Sequence, residues 1–185
     1  PLKSEIQDNL YDLLENAEES ITIVQPYYTN LKRIEDLLIR AVKRGVKVKF
    51  ITAEKRDQTA YRYQYNNHLF EKVLKGGVDV YEFMDKFLHS KVYFIDRKII
   101  SMGSFNNDVT SFILNNEANY LIKRNQKNEK LFNDVEHYFE ELDGNCKKVV
   151  INSYRNPFRF AYSHWWYFFI WSMEHSVANR DYKYK

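Results

Sequence analysis

Short apolar runs alternate with amphipathic helical patterns along most of the chain, and this alternation constrains the fold more than any other feature. Apolar side chains recur at three- and four-residue spacing within 6–17 and 34–42. This predicts two amphipathic helices, the first running to about Glu19 and the second over 31–44. Further helices are predicted over 57–74 and 129–142. Runs rich in β-branched and aromatic residues predict six strands, at 21–25, 46–52, 78–83, 92–95, 99–102 and 117–122. This order predicts an α/β layered domain whose central mixed or parallel sheet is flanked by helices.

Polar residues that can act in catalysis or binding flank the apolar strand predicted at 92–95. His89 and Lys91 precede it, and residues two apart in an extended chain share a face at about 6.5 to 7 Å. Asp96 follows the strand and begins a predicted tight turn. The returning strand would bring residues 103–106, which read Gly-Ser-Phe-Asn, back to the end that carries His89.

These residue types suit a phosphoryl group. The imidazole of His89 can attack phosphorus and later leave, so one displacement becomes two easier steps. Lys91 can balance the charge on the phosphoryl oxygens, and Ser104 and Asn106 can donate hydrogen bonds to them. Taken alone, His89 would more simply be an ordinary hydrogen-bonded histidine at a strand end. Because lysine supplies the electrostatics, no metal and no other cofactor is expected.

The spacing resembles a known signature. His-x-Lys, four residues, Asp, six residues and Gly-Ser is the HKD pattern of the phospholipase D superfamily, and every fixed position is present. Over roughly residues 5–145 the chain is similar to the C-terminal half of a bacterial-type cardiolipin synthase. One position departs from that pattern, since Thr110 stands where the synthases commonly carry arginine. The flanking motifs that carry the similarity lie at 20–28, 44–48, 76–83 and 106–117.

The resemblance implies a phospholipase D-like fold and a phosphatidyltransferase that forms a phosphohistidine on His89. It implies that Glu117 accepts a hydrogen bond from the other ring nitrogen of that histidine and fixes its tautomer. Asp96 belongs to the signature and is expected to order the turn behind the site. The resemblance also makes three residues at strand-to-loop exits candidates for the side that binds the acceptor lipid: Tyr27, Tyr28 and Asp57.

The phospholipase D reaction uses two such motifs, and this chain carries one. One histidine attacks while the other protonates the leaving oxygen. The missing motif is expected from an upstream segment, a separate subunit or a homodimer mate. Because the flanking motifs resemble the second half of a two-motif synthase, a missing half is preferred to a homodimer.

The end of the chain differs in charge and aromatic content. From Lys147 onward there are seven basic and two acidic residues, against 21 basic and 23 acidic before it. All three tryptophans lie there, and the apolar side chains within 158–173 follow one helical stripe. The sequence therefore predicts a catalytic domain over 1–147 and a basic, aromatic tail over 148–185. The stripe predicts a helix that lies in the membrane interface, or one that packs on the domain or on a partner protein.

Three functions follow from these observations. The first is a cardiolipin synthase-type phosphatidyltransferase with an anionic phospholipid substrate, bound to the mitochondrial inner membrane in a eukaryote or the cytoplasmic membrane in a bacterium. The second is a homodimeric phosphodiesterase of nuclease type. Nucleic acid is not expected as a partner, because the basic residues are concentrated in the tail rather than around the site. The third is a catalytically silent subunit of a membrane complex.

Overall fold

A computed structural model describes residues 5–28, 31–54, 70–108, 111–112 and 115–151. Its helices are α1 (Glu5–Asn16), α2 (Lys32–Lys43) and α3 (Glu129–Gly144), and residues 70–75 are also helical. The strands are β1 (Ser20–Gln25), β2 (Lys47–Ala53), β3 (Asp79–Phe83), β4 (Val92–Ile95), β5 (Ile99–Gly103), β6 (Asn119–Lys123) and β7 (Cys146–Lys148).

The strands form one mixed sheet in the order β6-β5-β4-β1-β2-β3-β7. The pairs β1–β2 and β2–β3 are parallel, while β4 runs antiparallel to β1, β5 to β4, β6 to β5 and β7 to β3. The predicted α/β layered domain with a mixed sheet is therefore confirmed. The predicted helix over 158–173 lies outside the described residues.

Successive side chains of β4 point to opposite faces of the sheet and so belong to two separate hydrophobic cores. Tyr93 and Ile95 face the layer formed by α1, α2 and residues 70–75, whereas Val92 and Phe94 face α3. On the α3 side, the Phe94 ring stacks on Phe139 with the ring centroids 5.5 Å apart. Because every residue of β4 is buried, the polar residues of the signature can lie only beyond its two ends.

Strand direction brings the signature together at one edge of the sheet. The carboxyl ends of β1, β2 and β3 lie at this edge, as do the start of β4, the end of β5 and the start of β6. His89 and Lys91 precede β4, residues 104–108 follow β5, and Glu117 precedes β6. The chain therefore delivers these groups to one place although 28 positions separate the first from the last.

Two elements differ from the sequence prediction. Helix α1 ends at Asn16 rather than near Glu19, because the backbone N–H groups of Glu18 and Glu19 donate to the Asp96 carboxylate instead of continuing the helix. Strand β7 was not predicted. Its three residues, Cys-Lys-Lys, are too few to show a strand pattern, and the strand forms by pairing with β3. It contains the predicted domain boundary between residues 147 and 148.

Candidate active site

His89 and Lys91 lie just before β4 and are joined by a hydrogen bond. The Lys91 ammonium donates to the backbone carbonyl oxygen of His89, with 2.9 Å between the two atoms. His89 is exposed and Lys91 is half-buried. The site thus offers an accessible imidazole and, two residues further on, an ammonium group bound to the backbone of the same histidine, which are groups that can act on a phosphate ester.

The His89 ring is held by an aromatic contact. It stacks on Phe87 with the ring centroids 5.6 Å apart and the planes 27° apart. Phe87 also contacts the Tyr27 ring at 6.4 Å. Among the described residues, Glu117 is hydrogen-bonded to other groups and not to the His89 ring. Phe87 thus lies between the Tyr27 and His89 rings and contacts both. The implied Glu117–His89 hydrogen bond stays a prediction.

The loop after β5 is fixed by steric fit and by one buried amide. A side chain at Gly103 would put a Cβ only 2.1 Å from the Ala118 backbone oxygen, so glycine is required here for close packing against the chain entering β6. Gln25, fully buried at the end of β1, donates to the Phe105 carbonyl oxygen at 3.4 Å and accepts from the Asn107 N–H at 3.2 Å. These contacts hold the loop that carries Ser104 and Asn106.

Glu117 collects hydrogen bonds from three side chains. Its carboxylate accepts from the Ser104 hydroxyl, from the Ser111 hydroxyl at 2.7 Å and from the Asn115 amide at 3.1 Å. The Ser104 oxygen in turn accepts from the Ala118 N–H at 3.0 Å. The strand-end loops on both sides of Glu117 are therefore joined through its carboxylate.

The site favours an ionised Glu117 next to Lys91. Burial alone would raise the pKa of Glu117, but the three donors and the Lys91 charge outweigh it, so that the pKa lies below its ordinary value. Burial lowers the pKa of Lys91, and the negative charges of Glu117 and Asp108 act in the opposite direction. Glu117 is thus a carboxylate with Lys91 as its counter-charge in a partly buried place. A second anion bound there would also need the positive charge of Lys91.

Asn106 carries a buried polar atom without a partner. Its side-chain oxygen is inaccessible to water and makes no hydrogen bond within the described part of the chain. Its backbone N–H donates to the Ser111 hydroxyl oxygen at 3.3 Å. Because an unpaired buried polar group destabilises a fold, its presence next to Glu117 and Ser104 is typical of a binding site.

Asp96 lies at the opposite edge of the sheet from His89. Its carboxylate accepts hydrogen bonds from three consecutive backbone N–H groups, those of Glu18 at 3.0 Å, Glu19 at 2.7 Å and Ser20 at 2.9 Å. Burial opposes its ionisation, but these donors prevail and keep its pKa below the ordinary value. Asp96 has φ 51°, and Arg97 after it has φ 55°. The structure therefore gives Asp96 a place in the turn, away from the reacting groups.

The remaining candidates are not assembled with His89. Tyr28 is buried, its hydroxyl donates to the Glu35 carboxylate at 2.9 Å, and its ring packs edge-on against Phe50 in the core. Asp57 lies outside the described residues. Of the three residues expected on the acceptor side, Tyr27 is the one that contacts Phe87, the residue on which the His89 ring stacks, among the described residues.

No role was predicted from the sequence for three residues that hold the groups of the site in place through direct contacts. Ser111, Gln25 and Phe87 have no role in the signature and belong to residue types that occur anywhere in a protein. A serine directly before an apolar residue, near the end of a polar loop, was the available signal for Ser111. Its importance depends on contacts between distant parts of the chain, which spacing alone does not reveal.

Comparison with known proteins identifies relatives. Residues 10–142 match the family described as cardiolipin synthase, phospholipase D-like domain. The chain is 32% identical over 158 residues to a cardiolipin synthase of Geobacillus thermodenitrificans, covering 85% of this chain and 31% of that protein. It is 31% identical over 140 residues to a probable cardiolipin synthase of Bacillus subtilis, covering 76% and 27%. The chain thus spans less than a third of the length of these relatives.

Solved structures share the fold. The phospholipase D family member Nuc from Salmonella typhimurium superposes with a TM-score of 0.66 at 19% identity, covering 77% of this chain and 90% of that one. A phosphatidylserine synthase from Haemophilus influenzae superposes with a TM-score of 0.69 at 18% identity, covering 94% and 44%. Since the family match extends over most of the chain and includes His89, Lys91 and Glu117, this protein belongs to the cardiolipin synthase family of phospholipase D-like domains.

Proposed function

We propose that this chain is one half of a phosphatidyltransferase of cardiolipin synthase type, acting on phosphatidylglycerol and a second lipid. The observation that carries the proposal is the meeting of His89, Lys91 and the Glu117 cluster at one sheet edge, in a chain whose relatives are cardiolipin synthases. The fold alone would not suffice, because a fold can host several functions and this one also occurs in the phospholipase D family member Nuc and in a phosphatidylserine synthase.

The reaction proceeds in two displacements. A ring nitrogen of His89 attacks phosphorus, the bond from phosphorus to the glycerol oxygen breaks, and that oxygen takes a proton as the alcohol leaves. The hydroxyl of the second lipid then attacks the phosphohistidine, loses its proton and releases the imidazole. In both steps the ammonium group of Lys91 balances the negative charge on the phosphoryl oxygens. Ser104 and Asn106 are assigned as further hydrogen-bond donors to these oxygens.

The proton for the leaving oxygen comes from a second motif. We assign it to another HKD half, either upstream in a longer polypeptide or on a separate subunit. The chain spans only 27% and 31% of two cardiolipin synthase relatives, which leaves room in such proteins for another domain of this size. The exposed position of His89 allows a second half to approach it directly.

The test is complementation with a lipid substrate. The isolated chain should make no cardiolipin from phosphatidylglycerol vesicles, and mixing it with an upstream half from a cardiolipin synthase should restore the product, measured by mass spectrometry. The matched control is the same upstream half without the histidine of its own motif, which should restore nothing. Vigorous cleavage of DNA or RNA by the isolated chain, with a dimer by light scattering, would instead establish the nuclease alternative.

We assign the membrane contact to the tail. Within the part of the chain that the structure describes, no helix is both long and apolar enough to cross a bilayer. Residues 152–185 of the tail lie beyond the described residues, so this proposal is drawn from the sequence: three tryptophans on a segment with seven basic and two acidic residues from Lys147 onward. Each basic residue near an anionic leaflet contributes about 1 kcal/mol, which salt screens, while buried aromatic rings contribute a part that salt does not remove.

Flotation with anionic liposomes measures this contact. The full chain should float, and raising the salt should weaken the binding without abolishing it. The triple change Trp165→Ser, Trp166→Ser and Phe169→Ser should release the protein even at low salt, because it removes the rings that enter the interface. Full flotation of the triple variant, or unfolding of its domain by circular dichroism, would show that the stripe is a packing surface.

A further inference from the structure

Ser111 occupies a junction in the site that the signature does not mention. Only 3% of its surface is exposed. Its hydroxyl donates to the Glu117 carboxylate at 2.7 Å and accepts from the Asn106 backbone N–H at 3.3 Å. Its own N–H donates to the Asp108 carboxylate at 2.8 Å. One buried serine thus connects the loop after β5 with the residue that precedes β6.

The position of Ser111 is set by the apolar residue that follows it. Phe112 packs against Phe105 with ring centroids 4.7 Å apart, and against Tyr11 of α1 at 6.2 Å. The Phe112 N–H also donates to the Asp108 carbonyl oxygen at 3.1 Å. Because the phenylalanine is anchored in the core, its neighbour has little freedom to turn away from Glu117.

We propose that Ser111 is a positioning residue that holds the Glu117 carboxylate and the Asn106 backbone in the arrangement required for phosphoryl transfer. The inference rests on the proposed function and extends it to a residue that touches no reacting atom. Ser104 and Asn115 also donate to Glu117. Ser111 differs from both because it is buried, and its hydroxyl oxygen accepts from the Asn106 N–H, whereas that of Ser104 accepts from the Ala118 N–H.

The hydrogen bond has a measurable electrostatic effect. A donor to a carboxylate stabilises the ionised form and lowers its pKa. The Lys91 charge, from the chain before β4, acts on Glu117 in the same direction, and Asp108, from the loop after β5, acts on Lys91. Removal of the Ser111 hydroxyl leaves those charges in place, so the pKa of Glu117 should rise by the contribution of one donor.

The first measurement is the titration of Glu117 in the full chain, followed by carbon NMR of the labelled carboxyl and assigned with Glu117→Gln. Ser111→Ala should move the midpoint to higher pH. Ser111→Cys, which keeps the side-chain volume but donates weakly, should move it in the same direction. The matched control is Ser101→Ala, a serine 7% exposed on β5 that accepts from the Asn119 amide at 3.2 Å and should leave the midpoint unchanged. An unmoved midpoint in both Ser111 variants overturns the proposal.

The second measurement is the pH profile of kcat/KM in the complemented enzyme. Ser111→Ala should shift the acid limb to higher pH and reduce kcat/KM at acidic pH by about tenfold, the typical effect of one hydrogen bond to a charged group. A shifted titration with an unchanged acid limb would reduce Ser111 to a structural residue and overturn its positioning role. If the wild type transfers no lipid, the proposed function fails, while the titration still decides whether Ser111 holds Glu117.

Discussion

Replacing His89 with alanine is expected to abolish both lipid transfer and covalent labelling of the chain. Without the imidazole there is no nucleophile on this half of the site, and neither Lys91 nor Glu117 can substitute for it in a phosphoryl displacement. The complemented enzyme should be quenched during turnover with radiolabelled phosphatidylglycerol and digested. Mass spectrometry should then find the modified peptide on His89 in the wild type and no modified peptide in the variant.

The fold should survive this change, because His89 is exposed and its ring packs only against Phe87 among the described residues. We expect a change in unfolding free energy within about 0.5 kcal/mol, as for other surface substitutions. His137 provides the matched control, since its side chain is 70% exposed on α3 near Glu140 and Glu141. His137→Ala should retain full activity. Undiminished transfer by His89→Ala would assign the nucleophile to another residue.

Replacing Lys91 with methionine should reduce kcat by roughly 10³-fold, in the range found when one preorganised donor to a developing anion is removed. Methionine keeps most of the length and loses the charge, so the phosphoryl oxygens would lie in a partly buried place without a counter-ion. Stability should not fall, because burial already disfavours the charged form of this lysine. Rapid-quench kinetics on the complemented enzyme would measure the effect on formation of the intermediate.

Two further variants separate charge from geometry. Lys98→Met removes an exposed lysine from the turn, where it pairs with Glu19 at 2.8 Å, and should leave kcat unchanged. Lys91→Arg keeps the charge in a broader, planar group and should recover only part of the activity. Equal kcat for Lys91→Met and the wild type would show that Lys91 takes no part in the reaction.

Much of the fold was predictable from the sequence because its strands are strongly patterned. The buried run at 92–95 and the helical spacing within 34–42 correspond closely to β4 and α2. Strand β7 was not predictable, because three polar or small residues become a strand only by pairing with β3. Tertiary contacts also decided the end of α1, where Asp96 takes the N–H groups that would have continued the helix.

The site divides in a similar way. Spacing predicted that His89, Lys91 and residues 103–106 meet at one end of the sheet, since their positions relative to the strand ends are local information, while Glu117 was assigned to the site by the resemblance. Tyr27 and Tyr28 are adjacent in sequence and looked equivalent, yet one contacts Phe87 and the other donates to Glu35 inside the core. Which of two neighbours turns into the core depends on backbone direction after the strand, and no residue type in that segment specifies it.

Asp96 also has a consequence for how the histidine is aimed. By taking the N–H groups of residues 18–20, it locks the alignment of β4 against β1, in which Ile95 lies opposite Ile21 and Val92 opposite Val24. A slip of one residue would turn every side chain of β4 to the other face, and His89 and Lys91 with them. Asp96 therefore fixes the register of β4 from a position roughly 16 Å along the strand from Lys91. The signature therefore combines two chemical groups, those of His89 and Lys91, with a third residue, Asp96, that fixes the strand register and so the direction in which the other two point.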